Sequence, residues 1–88
     1  MSASGFRADK VTIYLIMPNQ EVVHEVFDAG QLIFSIFPSI YNRIDQTKEV
    51  KITAGSTGKE MDIESMTNTT FRAGGFAPTG TFYIEEVD

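Results

Sequence analysis

The fold is decided by residues 10–44, which read KVTIYLIMPNQEVVHEVFDAGQLIFSIFPSIYNRI. Residues 10–17 alternate between two sets of side chains, and the strongly apolar set is Val11, Ile13, Leu15 and Met17. This period of two predicts a β-strand with one buried face. Pro18-Asn19-Gln20 is a turn signal, and the valine-rich residues 21–27 follow it. The two segments therefore predict an antiparallel β-hairpin.

The rest of this stretch changes to a helical period. Asp28 and Gln31 have the spacing of a capping box, which predicts that a helix begins there. Pro38 interrupts the helix, because proline removes a backbone hydrogen bond from a helix interior. Either one helix is kinked at Pro38, or a second helical turn begins with Pro38 near its N1 position. The kinked helix is favoured because apolar residues recur at three and four positions on both sides of the proline: Leu32, Ile33, Ile36, Phe37, Ile40, Tyr41 and Ile44.

The remainder of the chain predicts three more strands. Residues 49–54 alternate, and Gly55-Ser56-Thr57-Gly58 predicts a turn after them. Residues 61–66 predict a short fourth strand, and residues 67–80 predict a loop. Residues 81–87 predict a final strand with Phe82 and Ile84 facing inward. A hairpin, one helix and three further strands predict a two-layer α+β domain in the order β-β-α-β-β-β.

The composition limits the class of protein. The chain has 88 residues, which is enough for one domain, and we expect residues 1–9 to be a flexible lead-in and residues 10–88 to form a single domain. An apolar fraction of 42% predicts a folded chain and excludes a disordered tail. The absence of cysteine excludes disulfides, thiolate chemistry and Cys–His zinc sites.

Charge and hydropathy exclude two kinds of partner. Seven Lys and Arg against 12 Asp and Glu leave a net charge of −5, which argues against nucleic-acid binding through phosphates. The longest apolar run is residues 13–17, whereas a membrane span needs about 20 residues. No signal-peptide pattern is present at the start of the chain. We therefore expect a cytoplasmic protein that does not bind membranes.

The element order resembles the ubiquitin-like β-grasp family over about residues 10–87. The lead hairpin that runs directly into a helix, the strand that ends in Ala54-Gly55, and the layout from Met66 through Phe76 to Ile84 carry this resemblance. It implies a β-grasp domain in which one helix packs across a mixed sheet of four to five strands. Members of this family mostly act by being bound, either as covalent tags or as interaction domains.

One departure separates the chain from the conjugated tags of that family, which end in a flexible tail with a Gly-Gly terminus. Gly74-Gly75 follows Arg72, but cleavage after Gly75 would remove the predicted last strand. The chain ends instead in an acidic segment that reads as strand. The resemblance is therefore to a non-conjugated member.

The segment Glu85-Glu86-Val87-Asp88 carries a second resemblance. It is similar to the EEVD tail of the cytosolic seventy- and ninety-kilodalton heat-shock chaperones, which TPR cochaperones bind. Such binding needs a detachable tail with a free carboxylate. Here the segment continues the predicted last strand directly from Phe82, so a role within the strand is favoured.

Three patterns in the sequence resemble chemical sites. The residues from Gly55 to Lys59 are too short for a phosphate loop, and no hydroxyl residue follows the lysine, so a turn is favoured. His24 could act as a general base only for a nucleophile, and the sequence has neither a cysteine nor a G-x-S-x-G motif to supply one. We therefore interpret His24 as a residue of the sheet. Asp62 and Glu64 share a face of the short fourth strand, where charges more often discourage strand pairing than bind a cation. We therefore predict a protein that is not an enzyme, with no catalytic residue, cofactor or metal.

Surplus apolar residues predict an interaction surface. Tyr14, Ile16, His24 and Tyr83 are expected on the sheet face away from the helix, joined by Val22 or Val26, and an apolar outer face on a small domain is typical of a protein interface. The alternative is that these side chains are half-buried beside Lys and Glu stems. We predict a monomeric interaction module that binds another protein through this face; the alternative is an assembly subunit that self-associates through its sheet. Phe76 could belong to the core or to an exposed anchor, and the core is favoured.

Overall fold

The computed structural model describes residues 10–44 and 49–87. The flexible lead-in expected at residues 1–9 lies outside this range. No helix in the described ranges is long and apolar enough to cross a membrane. The elements are strands β1 (Lys10–Ile16), β2 (Val22–Asp28), β3 (Glu49–Ala54), β4 (Glu60–Met61) and β5 (Thr79–Val87), a 3₁₀ turn (Ile33–Ile36), and helices α1 (Phe37–Tyr41) and α2 (Ile63–Asn68).

The five strands form one mixed sheet in the order β2-β1-β5-β3-β4. β1 pairs with β2 in the antiparallel direction and with β5 in the parallel direction, and β5 pairs with β3 in the antiparallel direction. This arrangement confirms the predicted α+β class and the mixed sheet. β5 is the central strand, so a chain cut after Gly75 would lose the middle of its sheet.

The core lies between the inner face of this sheet and the helical segments. Ile13, Leu15 and Phe82 are fully buried on the inner face, and Ile33 and Ile40 are fully buried on the helical side. Each such side chain contributes about 1.5–3 kcal/mol by leaving water. The alternation predicted for β1 is confirmed, because its odd-numbered residues are buried while Tyr14 is exposed.

The prediction of one kinked helix beginning at Asp28 is wrong. Asp28 ends β2, and the helical segment is a 3₁₀ turn followed by α1, with Pro38 in the first turn of α1. A proline at this position removes no hydrogen bond from the helix, because the first N–H groups of a helix have no partner within it. The alternative with a second helical turn beginning near Pro38 is therefore the correct one. One of the two hydrogen bonds of the predicted capping box is present, because the Asp28 N–H donates to the Gln31 Oε1 at 2.8 Å. This bond belongs to a turn.

The prediction of a strand over residues 61–66 is also wrong. β4 contains only Glu60 and Met61, and α2 follows it. Asp62 is the N-cap of α2, and its Oδ1 accepts a hydrogen bond from the Ser65 N–H at 2.7 Å. This bond satisfies a donor that the helix leaves free, and the helix buries Met66. Asp62 and Glu64 therefore do not share a strand face.

The loop before β5 closes one end of the core. Phe76 is 5% exposed, and its ring centroid lies 4.7 Å from that of Phe82. Phe71 is fully buried and stacks on Phe27 at 5.1 Å. Phe76 is thus a core residue, as the sequence favoured. The last strand begins at Thr79, two residues earlier than predicted.

Candidate interaction surface

The outer face of the sheet places three strands side by side. The pairing of β1 with β2 sets Ile16 opposite Val22 and Tyr14 opposite His24. The pairing of β1 with β5 sets Ile16 beside Tyr83. Opposite residues in paired strands point to the same face of a sheet. The structure therefore brings together all four residues that the sequence predicted for this surface, although their binding of a partner stays a prediction.

These side chains expose apolar and aromatic surface. Tyr14 is 38% exposed and Tyr83 is 48% exposed, while Val22 and Val26 are 57% and 62% exposed. His24 is exposed and Ile16 is half-buried, so the half-buried alternative holds for Ile16 alone among the four predicted residues. We define the outer-face patch as the residues Tyr14, Ile16, Val22, His24, Val26 and Tyr83.

Opposite charges lie beyond two ends of the outer-face patch. Lys10 forms an ion pair with Asp28 across β1 and β2. Lys51 lies opposite Glu85 across β3 and β5. An exposed ion pair adds only about 0–1 kcal/mol to stability. A largely apolar area lies between these two charged borders.

An open hollow adjoins the outer-face patch where β1 ends. It has a volume of about 590 Å³, and its lining includes Ile16, Pro18, Gln20, Thr53 and Tyr83. Gln20 has φ 72°, in the left-handed region, and its N–H donates to the Met17 carbonyl in the turn between β1 and β2. The turn thus walls one side of a concave area that could accept a side chain of a partner.

The Gly55–Lys59 segment is a tight turn, as predicted. The Gly58 N–H donates to the Ala54 carbonyl at 2.8 Å, and Gly58 has φ 72°, which favours glycine. The Ala54 N–H donates to the Lys59 carbonyl at 2.9 Å. These hydrogen bonds use backbone N–H groups, which in a phosphate loop would point toward the ligand.

Among the ionisable groups that the structure describes, Asp62 has a pKa that is clearly shifted. The hydrogen bond from the Ser65 backbone lowers the pKa of its carboxyl below the ordinary value of 3.8. The side chain is therefore a charged helix cap. No cluster of three or more His, Cys, Asp or Glu residues suited to a metal ion occurs within residues 10–44 and 49–87.

The acidic C-terminal segment is part of the sheet as far as Val87. Glu85, Glu86 and Val87 lie opposite Lys51, Val50 and Glu49. Asp88 lies outside the described residues. The segment therefore continues β5 without a spacer, which is the arrangement that the sequence favoured over a detachable tail.

Sequence reasoning missed an apolar surface on the helical side of the domain. Ile63 is 56% exposed and Phe34 is 40% exposed. The alternation of Ile63 with Asp62 and Glu64 indicates a strand, whereas Ile63 begins α2. The capping spacing of Asp62 and Ser65, followed by the buried Met66, is the signal that would have indicated a helix here.

Comparisons with known proteins bear on the fold. No protein-family model matches the sequence, and no curated protein matches it. Among solved structures, the chain is similar to the solution structure of the UBX domain of D0H8S2298E protein, with a TM-score of 0.68 and 13% identity. The match covers 91% of this chain and 72% of that chain. At this identity the likeness is one of fold: the chain has the ubiquitin-like β-grasp fold that its element order resembled.

Proposed function

We propose that this protein is a non-enzymatic, cytoplasmic interaction module that binds another protein through the outer-face patch. The observation that carries the proposal is the continuous row of Val22, Ile16 and Tyr83 across β2, β1 and β5, with Tyr14 and His24 beside it. Small domains rarely leave a contiguous apolar area of this kind exposed unless it binds something.

The composition of the outer-face patch supports a protein partner. Protein interfaces are enriched in tyrosine and depleted of charge at their centre. Tyr14 and Tyr83 supply that chemistry, and the charges of Lys10, Asp28, Lys51 and Glu85 lie at its borders. The hollow beside Ile16 and Tyr83 offers a place for one apolar anchor of the partner.

Affinity purification from the native source with matched variants tests the proposal. Tyr14→Asp and Tyr83→Asp place a charge in the outer-face patch. Phe34→Asp is the control, because Phe34 is also an aromatic residue and is 40% exposed, against 38% for Tyr14, but lies on the helical side. A partner of the patch is captured by the wild type and by Phe34→Asp and is lost with both tyrosine variants. Circular dichroism first establishes that all variants fold.

A binding measurement with the purified partner completes the test. We expect each tyrosine substitution to weaken binding at least tenfold, which is the effect of losing a central interface residue. Retention of every captured protein by both tyrosine variants would overturn the proposal. Sedimentation velocity across a wide concentration range checks the predicted monomer, since growth in size that Tyr14→Asp abolishes would identify a self-associating subunit instead.

A further inference from the structure

His24 is the only histidine in the chain of 88 residues. Histidine is the side chain whose charge ordinarily changes between about pH 5 and 8. The chain has no cysteine, whose thiol can also titrate in that range. Acidification from pH 8 to pH 5 therefore changes the side-chain charge of this protein chiefly at His24.

His24 lies in the middle of the apolar part of the outer-face patch. Val22 and Val26 flank it on β2 and are exposed, and Tyr14 lies opposite it on β1. The diagonal neighbours of His24 on β1 pair with these two valines. They are also uncharged: Thr12 and Ile16. The imidazole is thus surrounded on this face by side chains without charge.

The nearest charged side chains on the same face lie too far away to pair with an imidazolium. β2 is an edge strand, so no strand of the described residues lies on its other side. Lys10 and Asp28 lie opposite each other at one end of the hairpin, and they form an ion pair. Asp28 is four residues from His24, or about 13 Å at a rise of about 3.3 Å per residue. This exceeds the Debye length of about 10 Å at 0.1 M salt.

The two acids nearest to His24 in the sequence offer no cross-strand partner. Glu25 lies opposite Ile13, which is fully buried, so Glu25 points toward the inner face. Glu21 lies in the turn before β2, where its N–H donates to the Asn19 Oδ1. The titratable side chain that faces His24 from β1 is Tyr14, and a tyrosine hydroxyl is uncharged at neutral pH.

Protonation of His24 has different consequences in the free protein and in a complex. In the free protein the side chain is exposed, so water solvates the imidazolium. A partner that covers the outer-face patch removes this water and brings apolar surface against the ring. Taking an unpaired charge out of water is strongly unfavourable. A complex at this face therefore favours the neutral imidazole.

We propose that the charge of His24 controls apolar contact at the outer-face patch: the neutral imidazole permits the contact and the protonated imidazole weakens it. This inference rests on the proposed function and adds that the partner presents an uncharged surface to His24. A complex that accepts only the neutral form weakens up to about tenfold for each pH unit on the acid side of the titration. We expect binding to be about tenfold weaker at about pH 5.5 than at about pH 7.5.

The first test measures the affinity of the purified partner at pH 7.5 and pH 5.5 by isothermal titration calorimetry. The ratio of the two affinities should be about ten for the wild type and within about twofold of one for His24→Gln, which gains no charge. His24→Lys carries a charge at both pH values, so it should bind more weakly than His24→Gln at both. Phe34→Asp is the control on the helical side and should keep the wild-type ratio.

A second probe needs no partner. Phenyl-agarose presents aromatic groups to exposed apolar surface, and retention at constant salt measures that contact. Wild-type retention should fall from pH 7.5 to pH 5.5, whereas His24→Gln should not lose retention. Circular dichroism at both pH values establishes that every variant is folded, so that unfolding does not account for a difference.

The outcomes separate this inference from the proposed function. A partner that is lost with Tyr14→Asp and Tyr83→Asp but binds the wild type equally at both pH values would overturn the inference alone. An equal loss at pH 5.5 in the wild type and His24→Gln would overturn it too, because another group would then be responsible. Tighter binding at pH 5.5 would contradict it by indicating a partner carboxylate opposite His24. Retention on phenyl-agarose that depends on His24, with no partner captured by the patch, would support the inference and overturn the proposed function.

Discussion

Tyr14 and His24 lie opposite each other on the antiparallel strands β1 and β2, with ring centroids 6.1 Å apart and ring planes inclined by 42°. Both side chains are exposed, so their contact lies on the outer face and not in the core. Cross-strand pairs of this kind contribute about 0.2–1 kcal/mol. The pair therefore holds the aromatic part of the outer-face patch in place and adds modestly to the stability of the hairpin.

A double-mutant cycle measures this contact. We expect Tyr14→Ala and His24→Ala to show a coupling of about 0.2–1 kcal/mol in the free energy of unfolding, measured by urea denaturation. The control cycle combines His24→Ala with Tyr83→Ala, because β1 separates these two residues. The control should be additive to within about 0.5 kcal/mol. Equal coupling in both cycles would contradict a specific contact.

Gly80 is predicted to tolerate no side chain. A Cβ atom at this position would lie 2.9 Å from Phe76 Cδ1 and 3.3 Å from Ile13 Cδ1, and both residues are buried. We expect Gly80→Ala to lower the free energy of unfolding by about 1–3 kcal/mol, since the surrounding core cannot move freely.

Gly30→Ala is the control for Gly80→Ala. A Cβ atom at Gly30 would meet nothing within 4 Å. The alanine restricts the unfolded chain, so we expect stability to be unchanged or raised by up to about 1 kcal/mol. Thermal and urea unfolding provide the measurement, and equal losses for both variants would show that packing against Phe76 is not the cause.

The cap at Asp62 predicts a pH-dependent contribution to stability. Its pKa is lowered in the folded state by the Ser65 N–H, so its stabilising effect is present above the ordinary value of 3.8 and is lost as pH falls through the lowered pKa. Asp62→Asn keeps a capping oxygen but cannot ionise. We expect the wild type to be more stable than Asp62→Asn at pH 7, and the difference to shrink below pH 3.8.

Urea midpoints at several pH values measure this effect. Asp62→Ala is the control, because it removes the cap at every pH and should be less stable than Asp62→Asn throughout. A constant difference between the wild type and Asp62→Asn across the acid range would contradict the linkage to ionisation.

The position of Glu85-Glu86-Val87 in the sheet predicts slow hydrogen exchange. β5 pairs with β3 up to Val87. Amides of this segment that donate to β3 should therefore exchange their hydrogens with solvent as slowly as the other paired amides of the sheet. The exposed turn at Ser56 and Thr57 is the internal reference for fast exchange. Exchange of residues 85–87 as rapid as that of the turn would indicate a detachable tail, as TPR binding requires.

The features that the sequence predicted correctly depend on short-range patterns. A period of two in residues 10–17 identified β1 and its buried face, because side-chain direction in a strand depends only on parity. The same parity placed Tyr14 and Ile16 on the outer face. The Pro18-Asn19-Gln20 turn predicted the antiparallel pairing of β1 with β2, because two strands joined by a tight turn most simply form a hairpin.

Helix boundaries were the weaker predictions, because several local signals competed. The spacing of Asp28 and Gln31 indicated a helix start, yet pairing with β1 extends β2 through Asp28. Alternation over residues 61–66 indicated a strand, yet the cap at Asp62 and the burial of Met66 favour α2. At Asp28 pairing with a distant strand outweighed a weak local preference, whereas at Asp62 a local cap and the burial of Met66 together outweighed the alternation.

The two surfaces differ in how far local patterns could reveal them. Tyr83 and Ile16 are neighbours only because β5 enters the sheet between β1 and β3. The apolar surface around Ile63 on the helical side requires α1, β3 and α2 to meet over one core. Alternation and spacing in the chain thus established which side chains face outward. Which of them become neighbours depends on long-range strand pairing, and that is set by burial of the whole core and by no single segment.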